Sequence, residues 1–154
     1  MQTVYSAPAA ADIALSAATA KSIIGVNGAS DFGIDLKGIH LGFDGATSTN
    51  TPALIEVCAA TFATNPPGTA STSITPVAIV GRANAATGFA AASNWTTEPT
   101  VLTVVDSYRF TVYGGTEIYD LPLSYDGPLA NGFVVRVTAA QAVNVRATLL
   151  FSRT

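Results

Sequence analysis

One histidine and one cysteine leave this chain few ways to build a reactive centre. His40 alternates with Ile39, Leu41 and Phe43, which share an apolar face, so its imidazole is expected to face solvent or an interface. A Ser-His-Asp arrangement could use His40 alone, and no Gly-x-Ser-x-Gly elbow accompanies it. A cupin-type metal site takes several imidazoles, which the histidine count excludes. Cys58 has no cysteine to pair with in the chain. It sits in the apolar run Leu54-Ile55-Glu56-Val57-Cys58-Ala59, with no basic neighbour in sequence to favour a thiolate. It reads as a small buried hydrophobe.

Paired carboxylates are the remaining catalytic option. The candidates are Asp31 with Asp35 and Glu117 with Asp120. A glycosidase would hold two such groups about 5–10 Å apart across a cleft. With ten acidic residues, some fall close by chance, and turn caps or solubilising charges account for these. Calcium could draw on Asp31, Asp35 or Asp126, but no loop has the dense Asp/Asn spacing of an EF-hand. No phosphate-cradling glycine loop is present. The expectation is no enzyme, no cofactor, and no catalytic or metal residue.

The aromatic residues suggest a different chemistry. Trp95, Tyr108, Tyr113, Tyr119 and Tyr125 could stack on sugars if exposed. Trp95 follows a long small-residue loop, where a lone indole more often anchors the loop onto the core. Asn94-Trp95-Thr96 matches a glycosylation sequon, which carries little weight without a secretory signal.

The elements that must carry these residues have an unusual composition. Charged residues make up 11% of the chain, against about 25% in an average soluble domain. Such a surface suits a chain that spends its life against a neighbour, where burying a charge is costly. The seven basic residues are scattered, so no stripe exists to neutralise phosphates, and nucleic acid is not an expected partner. No 18-residue apolar run proposes a membrane span. The Ala-rich start lacks a basic leader and is interrupted by Asp12, so it reads as an unprocessed cytoplasmic start.

Apolar residues alternate with period two, and Asn27-Gly28, Asp44-Gly45, Pro66-Pro67-Gly68, Gly114-Gly115, Asp126-Gly127 and Asn131-Gly132 punctuate them. The clearest strand holds Val143, Val145, Ala147, Leu149 and Phe151 on one face. Residues 133–138 form a second, and the four-residue connection predicts a hairpin with the first. Further strands are expected over 117–123, 101–113 (two strands, or one bent near Asp106-Ser107), 73–80, 54–62, 36–43, 21–26 and 12–17. Pro76 marks an edge or bulge. Residues 63–71 form a loop, and 81–99 form a long connection with a helical turn expected within 83–92. The pattern predicts an all-β antiparallel sandwich, jelly-roll-like, over residues 21–154, preceded by an extended N-terminal arm or first strand over 1–20.

The runs Leu54-Ile55-Glu56-Val57-Cys58-Ala59-Ala60-Thr61-Phe62 and Gly68-Thr69-Ala70-Ser71-Thr72-Ser73-Ile74-Thr75-Pro76, then residues 90–93 and Thr97-Glu98-Pro99-Thr100, resemble small virion proteins of tailed bacteriophages. They look like capsid decoration (cement) or head-associated proteins with a β-sandwich or jelly-roll fold. The likeness spans residues 36–154 as pattern, without a catalytic motif. It implies a homotrimer or similar ring on the capsid surface, made in the host cytoplasm, whose partners are itself and a major capsid protein lattice. An arm over residues 1–20 would order on a neighbour, for example by strand addition. Two other readings are a receptor- or glycan-binding module of a head fibre or tail, and a non-viral bacterial surface or pilus subunit.

Overall fold

Period-two alternation makes every strand two-faced, and two such sheets hide their apolar faces by closing on each other. The structure is a computed structural model that describes residues 3–30, 32–44, 50–80, 88–113, 116–127 and 131–153; the side chains of Val101 and of residues 116–127 lie outside that description. Among the described residues the chain forms twelve strands and no helix. In order they are β1 (Val4–Pro8), β2 (Ile13–Leu15), β3 (Ala20–Asn27), β4 (Ile34–Phe43), β5 (Ala53–Thr61), β6 (Thr72–Ile74), β7 (Val77–Val80), β8 (Ala90–Ser93), β9 (Val101–Phe110), β10 (Thr116–Gly127), β11 (Gly132–Thr138) and β12 (Val143–Arg153).

The first sheet runs β10-β4-β12-β1-β7, with β2 also paired to β12. The second runs β6-β8-β3-β11-β5-β9. Every strand pair is antiparallel. The protein is thus an all-β sandwich, as the alternation predicts. Its core takes Ile39, Leu41, Val145, Leu149 and Phe151 from the first sheet and Ile55, Val57, Val135 and Val137 from the second. Tyr5, Phe89 and Phe151 close one part of it with ring centroids 5.1 to 5.7 Å apart.

Several local expectations change. Of the two expectations for residues 1–20, an arm or a first strand, the described residues 3–20 follow the second: β1 pairs with β12 and β7, β2 pairs with β12, and Tyr5, Ala7, Ile13 and Leu15 are buried in the core, so there is no extended arm among them. Their apolar spacing is that of ordinary half-buried strands. β11 and β12 do not form a hairpin. β11 lies between β3 and β5 in one sheet and β12 between β4 and β1 in the other, so the short connection crosses between sheets. Residues 73–80 split at Thr75-Pro76 into β6 and β7, which belong to different sheets. Residues 90–92 are extended in β8, not helical; residues 83–87 of the expected helical turn lie outside the described ones. β9 is one strand whose irregularity falls at Val105: Val57 of β5 stands opposite Asp106 and the next residue, Cys58, opposite Val104.

Candidate functional site

The second sheet has buried residues on its outer face too. Val134 lies between Phe133 and Val135, which point into the main core, so Val134 points away from it. It gathers Ala60, Ala92, Phe62 and Trp95 into a second apolar cluster. Trp95 is 1% exposed and stacks on Phe62 with centroids 6.4 Å apart. Its Nε1–H donates to the Asn65 carbonyl at 2.9 Å, and the Asn65 side-chain amide donates to the Glu98 carbonyl at 2.9 Å. The backbone N–H of Trp95 donates to Ser22 of β3, and that of Thr96 donates to Ala70. The indole therefore ties the 62–71 loop and the 94–99 segment onto the sheet.

Beside this plug lies a polar row. Glu98 accepts from both the backbone N–H and the hydroxyl of Ser22. Arg136 Nε donates to Glu56 Oε2 at 2.9 Å across β11 and β5, which raises the arginine's already high pKa. Cys58, on β5, is fully buried. Burial pushes its thiol up to about 11; Arg136 offsets part of that, and Glu56 and Glu98 add to it. A thiol so placed stays protonated and unreactive at neutral pH. A cleft of about 430 Å³ opens next to Trp95, between Lys21 and Glu98. Trp95 lines it but is almost wholly buried, so it offers no stacking shelf.

The remaining sequence candidates are scattered. His40 lies half-buried on the outer face of the first sheet, in a shallow groove with Arg146 and Thr148. Asp35 is buried and ion-paired with Lys37. Its candidate partner Asp31 lies outside the described residues. Glu117, Asp120 and Asp126 stand on β10, with backbones opposite Leu41, Gly38 and Asp35, and their side chains lie outside the description, as do those of Tyr119 and Tyr125. Among the described residues, no three acidic, histidine or cysteine side chains gather as metal ligands. Tyr108 is half-buried, and Tyr113 is 49% exposed.

What the surface does offer is apolar edge. β7 ends the first sheet, and Val77, Ile79 and Val80 on it are 56%, 53% and 45% exposed. β9 ends the second sheet and exposes Val104 and Val105. Pro76 marks an edge or bulge in the sequence, and both are found: β6 and β7 each end a sheet, and the pairing of β1 with β7 skips Ile79. The exposure of the side chains is not legible, because a run like Val77-Ala78-Ile79-Val80 has the composition of a fully buried strand. Comparison with protein-family models, curated proteins and solved structures finds no match.

Proposed function

We propose that this chain is a virion structural protein, a decoration protein of a tailed-bacteriophage head, which binds across capsid subunits as an oligomer and catalyses nothing. The observation that carries this is the pair of apolar sheet edges, β7 and β9, on a chain whose charged fraction is only 11%. An exposed apolar edge on a free monomer invites uncontrolled pairing, whereas a subunit of an assembly covers it.

The strand order adds support. Leaving aside β2 and β6 to β8, the sheets read β1-β12-β4-β10 and β3-β11-β5-β9. Eight strands alternating in this way are the connection order of a jelly roll, an architecture used by viral shell subunits. The likeness of residues 36–154 to decoration proteins is consistent with it. Fold alone does not make function, so the assembly surface bears the argument.

Binding to the assembled lattice and not to free capsid subunits would stabilise the particle by mass action. The test is to prepare heads with and without this protein and follow their rupture on heating and on osmotic shock. The expected result is rupture at lower temperature without it. Equal robustness, or failure of the protein to sediment with heads, would overturn the proposal. The glycan-binding alternative loses its main support with the indole of Trp95 buried.

A further inference from the structure

The cleft beside Trp95 is lined by two charged side chains, Lys21 and Glu98. They have opposite signs, yet they do not pair with each other. Among the described residues neither belongs to an ion pair. Each is held by its own anchor instead. Lys21 Nζ donates to the Ala14 carbonyl at 3.2 Å. Glu98 accepts from the backbone N–H of Ser22 at 2.8 Å and from the Ser22 hydroxyl, and Ser22 is fully buried. An ammonium has three donors and a carboxylate about four acceptor sites, so both groups keep capacity for a ligand.

The backbone around this cleft is out of the ordinary. Among the described residues, the non-glycine positions with left-handed φ are Ala18 (54°), Asn65 (52°), Ala70 (53°) and Asn94 (58°). All of them lie in the loops that build the cleft. Ala18 sits in the turn between Ser16 and Thr19, which line it, and Asn94 precedes Trp95. The carbonyls of Asn65 and Ala70 hold the Trp95 indole and Thr96. Alanine adopts this conformation where its surroundings impose it. The N–H of Ala18, which donates to the Ala139 carbonyl at 2.7 Å, is one such restraint. Imposed strain of this kind gathers at sites whose walls are fixed in advance for a ligand.

We propose that this cleft binds a small zwitterion of the amino-acid class, its ammonium on Glu98 and its carboxylate on Lys21. A singly charged ligand would answer only one of the two fixed charges. The volume, about 430 Å³, falls in the ordinary range of small-molecule sites, about 300–1,000 Å³. Ser16, Thr19 and Thr96 bring hydroxyls to it, but the buried indole gives no face for a sugar ring. A free amino acid and a short peptide carry the same two groups at different spacing, and the test separates them.

Alanine and alanylalanine are the probes, titrated into the whole protein and followed by the NMR shifts of backbone amides. Saturable shifts at residues 19–22 and 96–98 are expected with at least one of them, and the tighter binder identifies the source. N-acetylalanine lacks the ammonium and alaninamide lacks the carboxylate. Each is expected to bind about tenfold more weakly or worse, as are alanine and alanylalanine to Lys21→Met and Glu98→Gln. The emission of buried Trp95 reports whether the variants fold. Lys21 is only half-buried, so Lys21→Met carries the test if Glu98→Gln, which rests on Ser22, does not fold. No saturable shift with either probe, equal binding of the capped compounds, or undiminished binding by folded Lys21→Met would overturn the proposal. Saturation by glucose and by neither probe would also overturn it, in favour of a sugar site. The virion reading stands or falls separately, on head stability.

Discussion

The indole Nε1–H of Trp95 meets the carbonyl oxygen of Asn65 at 2.9 Å, thirty residues back along the chain. This bond and the stack on Phe62 hold two loops against the outer face of the second sheet. Trp95→Phe keeps most of the apolar contact but leaves the Asn65 carbonyl without its donor, and is expected to cost about 1–3 kcal/mol. Trp95→Ala also opens a cavity and is expected to cost about 3–5 kcal/mol. Urea unfolding would measure both. Equal stability of Trp95→Phe and wild type would show that the bond contributes nothing.

Gly132 begins β11 where it passes β3. A Cβ there would stand 1.8 Å from the Val26 carbonyl oxygen, which belongs to the backbone and cannot rotate away. Gly132→Ala must therefore push the two strands apart and break the ladder that joins Gly132 to Asn27 and Phe133 to Val26. The expected loss is about 2 kcal/mol or more, in the range of severe backbone substitutions. Thermal unfolding would show it; a variant with wild-type Tm would mean that the approach is not so close.

Ala70 adopts φ 53° in the loop below Trp95. Asn65 and Asn94 share this left-handed conformation, which asparagine tolerates, but alanine has no polar side chain to compensate. Ala70→Gly should relieve about 1 kcal/mol of strain, less the extra freedom glycine gains when unfolded. A small rise in Tm is expected. A fall would show that the methyl group packs usefully.

Cys58 couples stability to alkaline pH. Its folded pKa of about 11 lies above the ordinary thiol value of 9.0, chiefly through burial. The folded state thus holds the proton more tightly than the unfolded state. The stabilisation is complete below pH 9 and is lost as pH rises toward 11, at up to about 1.4 kcal/mol per pH unit. Lysines and tyrosines also titrate in this range, so the useful quantity is the difference between wild type and Cys58→Ala. The variant should lose stability less steeply between pH 9 and 11. Parallel slopes would mean that the thiol ionises as easily folded as unfolded. The native thiol should also resist a disulfide reagent until the protein is unfolded.

The alternation of β4 and β12 was legible because each period-two run carries its own answer: Ile39 and Leu41, and Val143 through Phe151, are buried where expected. What such a run does not say is which sheet it joins. That is why β11 and β12, close in sequence and alike in pattern, read as a hairpin yet lie in opposite sheets. The role of Trp95 as an anchor followed from its solitary place after a loop, but its partner Asn65 did not, since nothing local links them. The exposure of β7 was hidden for the opposite reason. Pro76 marked an edge or bulge, but valine and isoleucine look buried by type, so the exposure of Val77 and Ile79 emerges only with the pairing order.

The pairing of β1 with β12 also sets a timetable for synthesis. The first described strand takes its register from the last described one, with Tyr5 opposite Phe151 and Ala7 opposite Leu149. On the ribosome, β1 waits without that neighbour until β12 has been made, and β7, which pairs with β1, waits beside it. Closing so distant a pair is slow, and the nascent chain meanwhile carries uncharged, β-prone segments with little to keep them apart. High-level expression is therefore the condition under which this protein should favour inclusion bodies over soluble product, and slowing synthesis by cooling should shift the balance back.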